Sequence, residues 1–152
     1  MKSIVDFNQP ASVPPGWRIA DESEQPSNRV VGRIEITEAT LATSLLDLSL
    51  IQKDGNIREI HQKLMPYTIY GAQLLDYLLA NPHLFPETWK DGNPKYFMGT
   101  VYYDKGGHKK VRCIWYEGGG KWTEADHRCN GDYSQHEKIV VRPHGKVPEA
   151  KA

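Results

Sequence analysis

The chain has 152 residues, 39% of them hydrophobic, with 19 basic and 19 acidic side chains and a mean hydropathy of -0.60. That length is close to one ordinary domain, and the apolar fraction supports a core while leaving part of the chain to be expected as surface arm. Balanced charge excludes a general attraction to nucleic acid or acidic membrane, and no apolar run approaches the roughly 20 residues of a membrane-spanning helix.

Residues 1–28 hold Pro10, Pro14, Pro15 and Pro26 and are expected as an irregular N-terminal arm, anchored by Phe7, Trp17 and Ile19. No secretory-type apolar stretch opens the chain, so a cytoplasmic location is the expectation. Residues 29–36, RVVGRIEI, predict a first strand weakened by Gly32. Thr37 can cap a helix running to about Leu50, with Leu41, Leu45 and Leu48 at helical spacing. Asp54 and Gly55 signal a turn. Asn56 and Glu59 then suit a capping box for a helix carrying Ile57, Ile60 and Leu64, stopped by Pro66.

Thr68 is placed to cap the next helix. Ala72, Leu75 and Leu79 lie on one side of it, with Leu74 and Leu78 beside them, and such a face is ordinarily core. Asn81 and Pro82 end it, because the residue before proline avoids the helical region. Residues 83–90 form a connector that Phe85 and Trp89 pin to the core. The period then changes. Residues 96–103 and 109–117 predict an antiparallel hairpin across the turn 104–107, and Gly118, Gly119 and Gly120 predict a second turn before Trp122. In the second strand Val111, Cys113 and Trp115 share one face, while Lys110, Arg112 and Tyr116 share the other, interrupted by Ile114. Residues 139–141 could supply a final strand, and 143–152 are expected as a flexible tail. The resulting expectation is a single α+β domain over 29–142, with helices of the first half packed on a C-terminal antiparallel meander.

Three candidate sites follow. Cys113, His127, Cys129 and His136 have residue types that suit zinc, but neither the CxxC pair nor the His pair of a structural finger is present, so no metal or other cofactor is assigned. A disulfide between Cys113 and Cys129 is disfavoured in a reducing cytosol. Asp126 beside His127 and His136 beside Glu137 offer acid–base pairs, yet strand neighbours point to opposite faces. No nucleophile elbow, phosphate loop or dinucleotide fingerprint occurs, and no catalytic residue is assigned. The third candidate is an aromatic and basic sheet face built on Tyr102, Lys109, Lys110, Arg112 and Tyr116, a composition that suits a protein interface or stacking on single-stranded nucleic acid.

The run LLDYLLANPHLFPETWK (74–90), followed by the hairpin sequence of 96–122, resembles a set of small uncharacterised bacterial proteins. Its shared features here are Asn81-Pro82, the stretch from Pro86 to Lys90, Gly99-Thr100, Val111-Arg112 and Trp122. The resemblance implies the order helix, connector, hairpin, and carries no activity. Trp122 opens a third strand, but the set continues with further tryptophans where this chain reads TEADHRCNGDYSQ, so strand and loop both stay open for the stretch after Trp122. Gly99 predicts a close approach, with the ring of Trp89 or Trp115 packed over it. The functional expectation is a non-enzymatic protein-interaction or accessory module that takes a protein partner or self-associates. A single-stranded nucleic-acid contact and a hydrolase using His127 and His136 are the alternatives.

Overall fold

The computed structural model describes residues 2–47, 64, 67–129 and 137–142. Within them the chain forms β1 (Ile4–Asp6), β2 (Arg18–Ile19), β3 (Arg33–Glu35), α1 (Glu38–Ala42), β4 (Leu45–Asp47), α2 (Ala72–Ala80), β5 (Lys95–Tyr103), β6 (Lys109–Gly118), β7 (Lys121–Arg128) and β8 (Lys138–Val140). The main sheet has the order β4-β8-β5-β6-β7, with β2 paired to β5, while β1 and β3 form a separate ribbon. The architecture is mixed α and β, mostly antiparallel, with most strand residues in the C-terminal half. The meander is not complete as expected, because β8 inserts beside β5 in parallel. None of the described helices is long and apolar enough to cross a membrane.

The arm contributes β1 and β2. Its backbone is paired because its apolar side chains are: Val5, Phe7 and Ala11 are buried. α1 begins where the sequence placed it, with Thr37 and Thr40 closing a reciprocal cap. It does not run to Leu50. The Thr43 and Ser44 hydroxyls both donate to the Thr40 carbonyl, drawing it from the helical ladder, and Leu45 then pairs with Val140 in the sheet. The Asn56–Glu59 capping box and the helix ending at Pro66 lie outside the described residues.

α2 is built of good helix formers and buries Leu74, Leu75 and Leu78 against Phe97, Ile114 and Val140 of the sheet. It ends at Asn81 before Pro82, as expected. Its start differs: the N-cap is Gly71, not Thr68, and a side chain from another element serves it. Thr100 Oγ1 on β5 accepts from the Ala72 N–H at 2.8 Å. Phe85 and Trp89 do pin the connector, with the Trp89 indole N–H donating to the Leu41 carbonyl at 3.1 Å.

Both sheet faces are covered. One carries Tyr96, Met98, Val111 and Cys113 against Leu46, Leu64 and Ile69, and the other carries Phe97 and Ile114 against α2 and the connector. β5 is the centre. Its register with β6 jumps from Phe97↔Arg112 to Tyr102↔Lys110, so residues 98–101 face only Val111. This bulge sets Phe97 and Tyr102, five positions apart in sequence, on one face.

Groups that are not strands satisfy the bulged backbone. The Gly99 N–H donates to the Tyr70 carbonyl at 2.9 Å, and the Ala20 N–H donates to the Val101 carbonyl at 3.0 Å. The Gln25 amide closes the rest: it donates to the Val101 carbonyl and accepts from the Val101 N–H, at 2.9 and 2.8 Å. The close approach at Gly99 is therefore made by backbone, not by the ring of Trp89 or Trp115. A β-carbon there would lie 2.6 Å from the Gly71 nitrogen and 2.7 Å from the Tyr70 carbonyl carbon.

β7 is the strand that Trp122 was expected to open, and it carries the stretch after Trp122 as strand to Arg128. It pairs with β6 from Lys110↔Arg128 to Gly118↔Lys121, across a turn where Gly118, Gly119 and Gly120 all take positive φ. The strand reads as polar because its inward-facing partners are charged. Glu124 and Asp126 face the Arg112 and Lys110 side of the sheet, where acids are the complement that basic neighbours require.

Candidate functional site

The five residues expected on an aromatic and basic face do not form one solvent surface. Tyr102 and Arg112 are buried. Lys109 points to the opposite face from Lys110 and Arg112, since neighbours on a strand alternate. Lys109 pairs with Glu24 at 3.2 Å. Lys110 pairs with Asp126 at 2.6 Å, with Asp104 at 3.7 Å, and lies 5.6 Å over the ring of Trp17. Tyr116 is half-buried, accepting from the Gly120 N–H at 2.6 Å and packing 4.9 Å from Trp122.

Arg112 is the hub of a closed network. Its Nη1 donates to Asp76 Oδ1 at 3.0 Å, to Ser12 Oγ at 3.2 Å and to the Tyr102 hydroxyl at 3.3 Å. Its Nε donates to Glu124 Oε2 at 2.8 Å, and Nη2 donates to the same oxygen. Burial on its own would loosen the guanidinium proton, but Tyr102, Asp76 and Glu124 outweigh it and hold Arg112 charged. Ser12 returns two bonds to Asp76, each 2.7 Å, and Tyr102 donates to the Ser12 carbonyl at 2.9 Å. The cluster therefore ties arm, helix and three strands together. Its donors are spent within the chain, so it holds structure and offers nothing to a phosphate.

The thiols are equally withdrawn. Cys113 and Cys129 are both buried, and burial pushes each up to about 12, aided at Cys113 by the nearby carboxylates of Glu137, Asp126 and Glu124. Neither is an activated nucleophile at neutral pH. Cys113 pairs with Ala125 while Cys129 bonds to Lys109, four positions along β6, which puts the thiols on the order of 13 Å apart and beyond a disulfide. Among the described residues no group of three His, Cys, Asp or Glu could hold a metal. Asp126 and His127 diverge, the first to Lys110 and the second to the edge of the Tyr96 ring at 5.7 Å. His136 lies outside the described residues.

A cavity of about 330 Å³ separates the arm from the first turn of α2, touching Gln9, Gln25, Arg29, Gln73, Gly99 and Thr100. Its polar groups serve the chain itself. Gln73 Nε2 donates to the Gln9 carbonyl at 2.9 Å, Arg29 Nη1 donates to the Pro26 carbonyl at 2.9 Å, and Arg29 Nη2 pairs with Glu22.

What remains open is the outer edge of β7. Residues 121–126 pair with β6 on one side, and among the described residues nothing pairs with them on the other. Trp122, Glu124 and Asp126 share the face of Arg112, with Trp122 stacked on Phe85 at 4.0 Å. Glu124 was missed in the sequence, and Asp126 was considered there only as an acid–base partner of His127. The signal for the pair was present as acids at i and i+2 on the face of the Lys-x-Arg of β6, each meeting its base on the diagonal. No family profile, no curated protein and no solved structure matches the chain.

Proposed function

We propose that the chain is a non-enzymatic protein-interaction module that takes an extended partner segment along the outer edge of β7. One observation carries this reading. Residues 121–126 present a regular strand edge with no partner on its outer side among the described residues, and an unpaired edge is a template for a further strand. The other candidates weigh against chemistry or phosphate binding. The basic groups Lys109, Lys110 and Arg112 are each engaged by a carboxylate, and both thiols are buried and protonated.

Panning a random peptide library on the full-length protein tests the reading. Enriched peptides are expected to slow hydrogen exchange at the amides of residues 121–126. Enriched peptides that protect another surface, or no enrichment at all, would overturn it.

A further inference from the structure

We infer that the β7 edge selects a basic strand, one with Lys or Arg at two positions two apart and an apolar residue two further on, and that it rejects a second copy of this chain. The inference rests on reading that edge as a strand-pairing site, and it adds the chemistry of the partner.

The carboxylates on the edge are half used. Asp126 gives Oδ1 to Lys110 at 2.6 Å, and Glu124 gives Oε2 to Arg112. Their other oxygens, Asp126 Oδ2 and Glu124 Oε1, have no hydrogen bond or ion pair among the described residues. The two side chains are 36% and 40% exposed. They sit two apart on one face of the edge strand, with Trp122 next in the row. A strand added there antiparallel to β7 sets its own side chains opposite these three. Cations opposite Asp126 and Glu124 would take the unused oxygens and complete a basic–acidic–basic ladder across β6, β7 and the new strand. An apolar side chain opposite Trp122 would extend its contact with Phe85. Read along the partner, the pattern is cation-x-cation-x-apolar.

The same two acids oppose self-pairing. Two copies joined antiparallel about a two-fold axis place residues of the same face opposite one another. The two registers that overlap most of β7 set Glu124 against the second copy's Glu124, or Glu124 against its Asp126. Like charges directly opposite across a ladder destabilise it.

The test uses the full-length 15N-labelled protein with two peptides, acetyl-TKTKTVT-amide and acetyl-TQTQTVT-amide. Amide shifts, hydrogen exchange and light scattering are the readouts. The lysine peptide is expected to protect amides within 121–126 and to bind about three-fold tighter than the glutamine peptide at low salt, an advantage that disappears at high salt. The variant Asp126→Asn is expected to cut that advantage by about two-fold while its melting temperature stays that of the parent. Equal binding of both peptides at the edge would overturn the inference and leave the edge reading standing. Protection of the edge by neither peptide would overturn both. A dimer in light scattering with protected β7 amides would make the second copy the occupant and overturn the inference.

Discussion

Strands β5 and β7 belong to one sheet and stand on either side of β6, yet they meet their backbone valences in different ways. β5 is buried along eight of its nine residues and is irregular, with residues 98–101 bulging away from β6. Its stray backbone groups are met by Tyr70, Ala20 and the Gln25 side chain, and its Thr100 hydroxyl accepts from the Ala72 N–H, so the bulge joins the arm and the start of α2 to the sheet. β7 is the more regular strand and has one side unmet. Irregularity in the buried strand is thus a device for joining parts of the molecule, whereas regularity at the edge is what leaves a surface able to accept a strand. The contrast follows from water. A buried amide must find a partner within the protein, while one at the edge can wait in solvent.

The contrast predicts that substitutions in β5 and its partners cost stability and that substitutions at β7 cost only binding. Gly99→Ala is expected to have the largest effect, a loss of about 3 kcal/mol read by chemical denaturation, because the added carbon meets backbone atoms of Tyr70 and Gly71 that cannot rotate away. A Gly99→Ala protein of unchanged stability would refute the backbone crossing. Gln25→Ala should cost about 2 kcal/mol by stranding the Val101 N–H and carbonyl. Gln25→Glu should rescue little of it, since a carboxylate donates nothing to the Ala20 and Val101 carbonyls.

Ser12→Ala should cost about 1 kcal/mol, by removing the hydroxyl bonds to Asp76 and Arg112. Faster proteolysis of residues 10–17 is its expected signature, because those bonds tie the arm to α2 and β6. Acid should act through depressed carboxylates. At Asp104, hydrogen bonds from the backbone around His108 lower the pKa below its ordinary value. Stability from such a group is present above the unfolded pKa and is lost as pH falls through the folded one, so it should be level near neutrality and decline only below the ordinary carboxylate range. The effect is small because Asp104 is in contact with solvent. Asp126→Asn comes last, within about 0.5 kcal/mol of the parent. A large loss there would mean that β7 is held by its charges rather than by its ladder.

Much of the fold was legible in the residues. The hairpin of β5 and β6, the end of α2 at Asn81, the capping role of Thr37 and the anchoring of Phe85 and Trp89 all came from local patterns of one period or one cap. Ile114 had looked like an interruption of a basic face. It is the core residue of that face, because α2 covers the sheet there. The candidate site was legible only in composition. Lys110, Arg112 and Tyr116 were correctly set on one face, but nothing local says that Asp76 and Ser12, from distant segments, come to meet Arg112.

Local sequence, then, determined the hairpin of β5 and β6, the start of α1, the end of α2 and which side chains of β6 share a face, since those depend on periodicity, caps and turn residues within a few positions. Tertiary structure decided the rest. It turned Leu45 from a helix into β4, supplied the α2 cap from Thr100, put backbone instead of a ring over Gly99, buried Tyr102 and Arg112, and left β7 at the edge. Each of these depends on which segment arrives from far along the chain to remove a group from water.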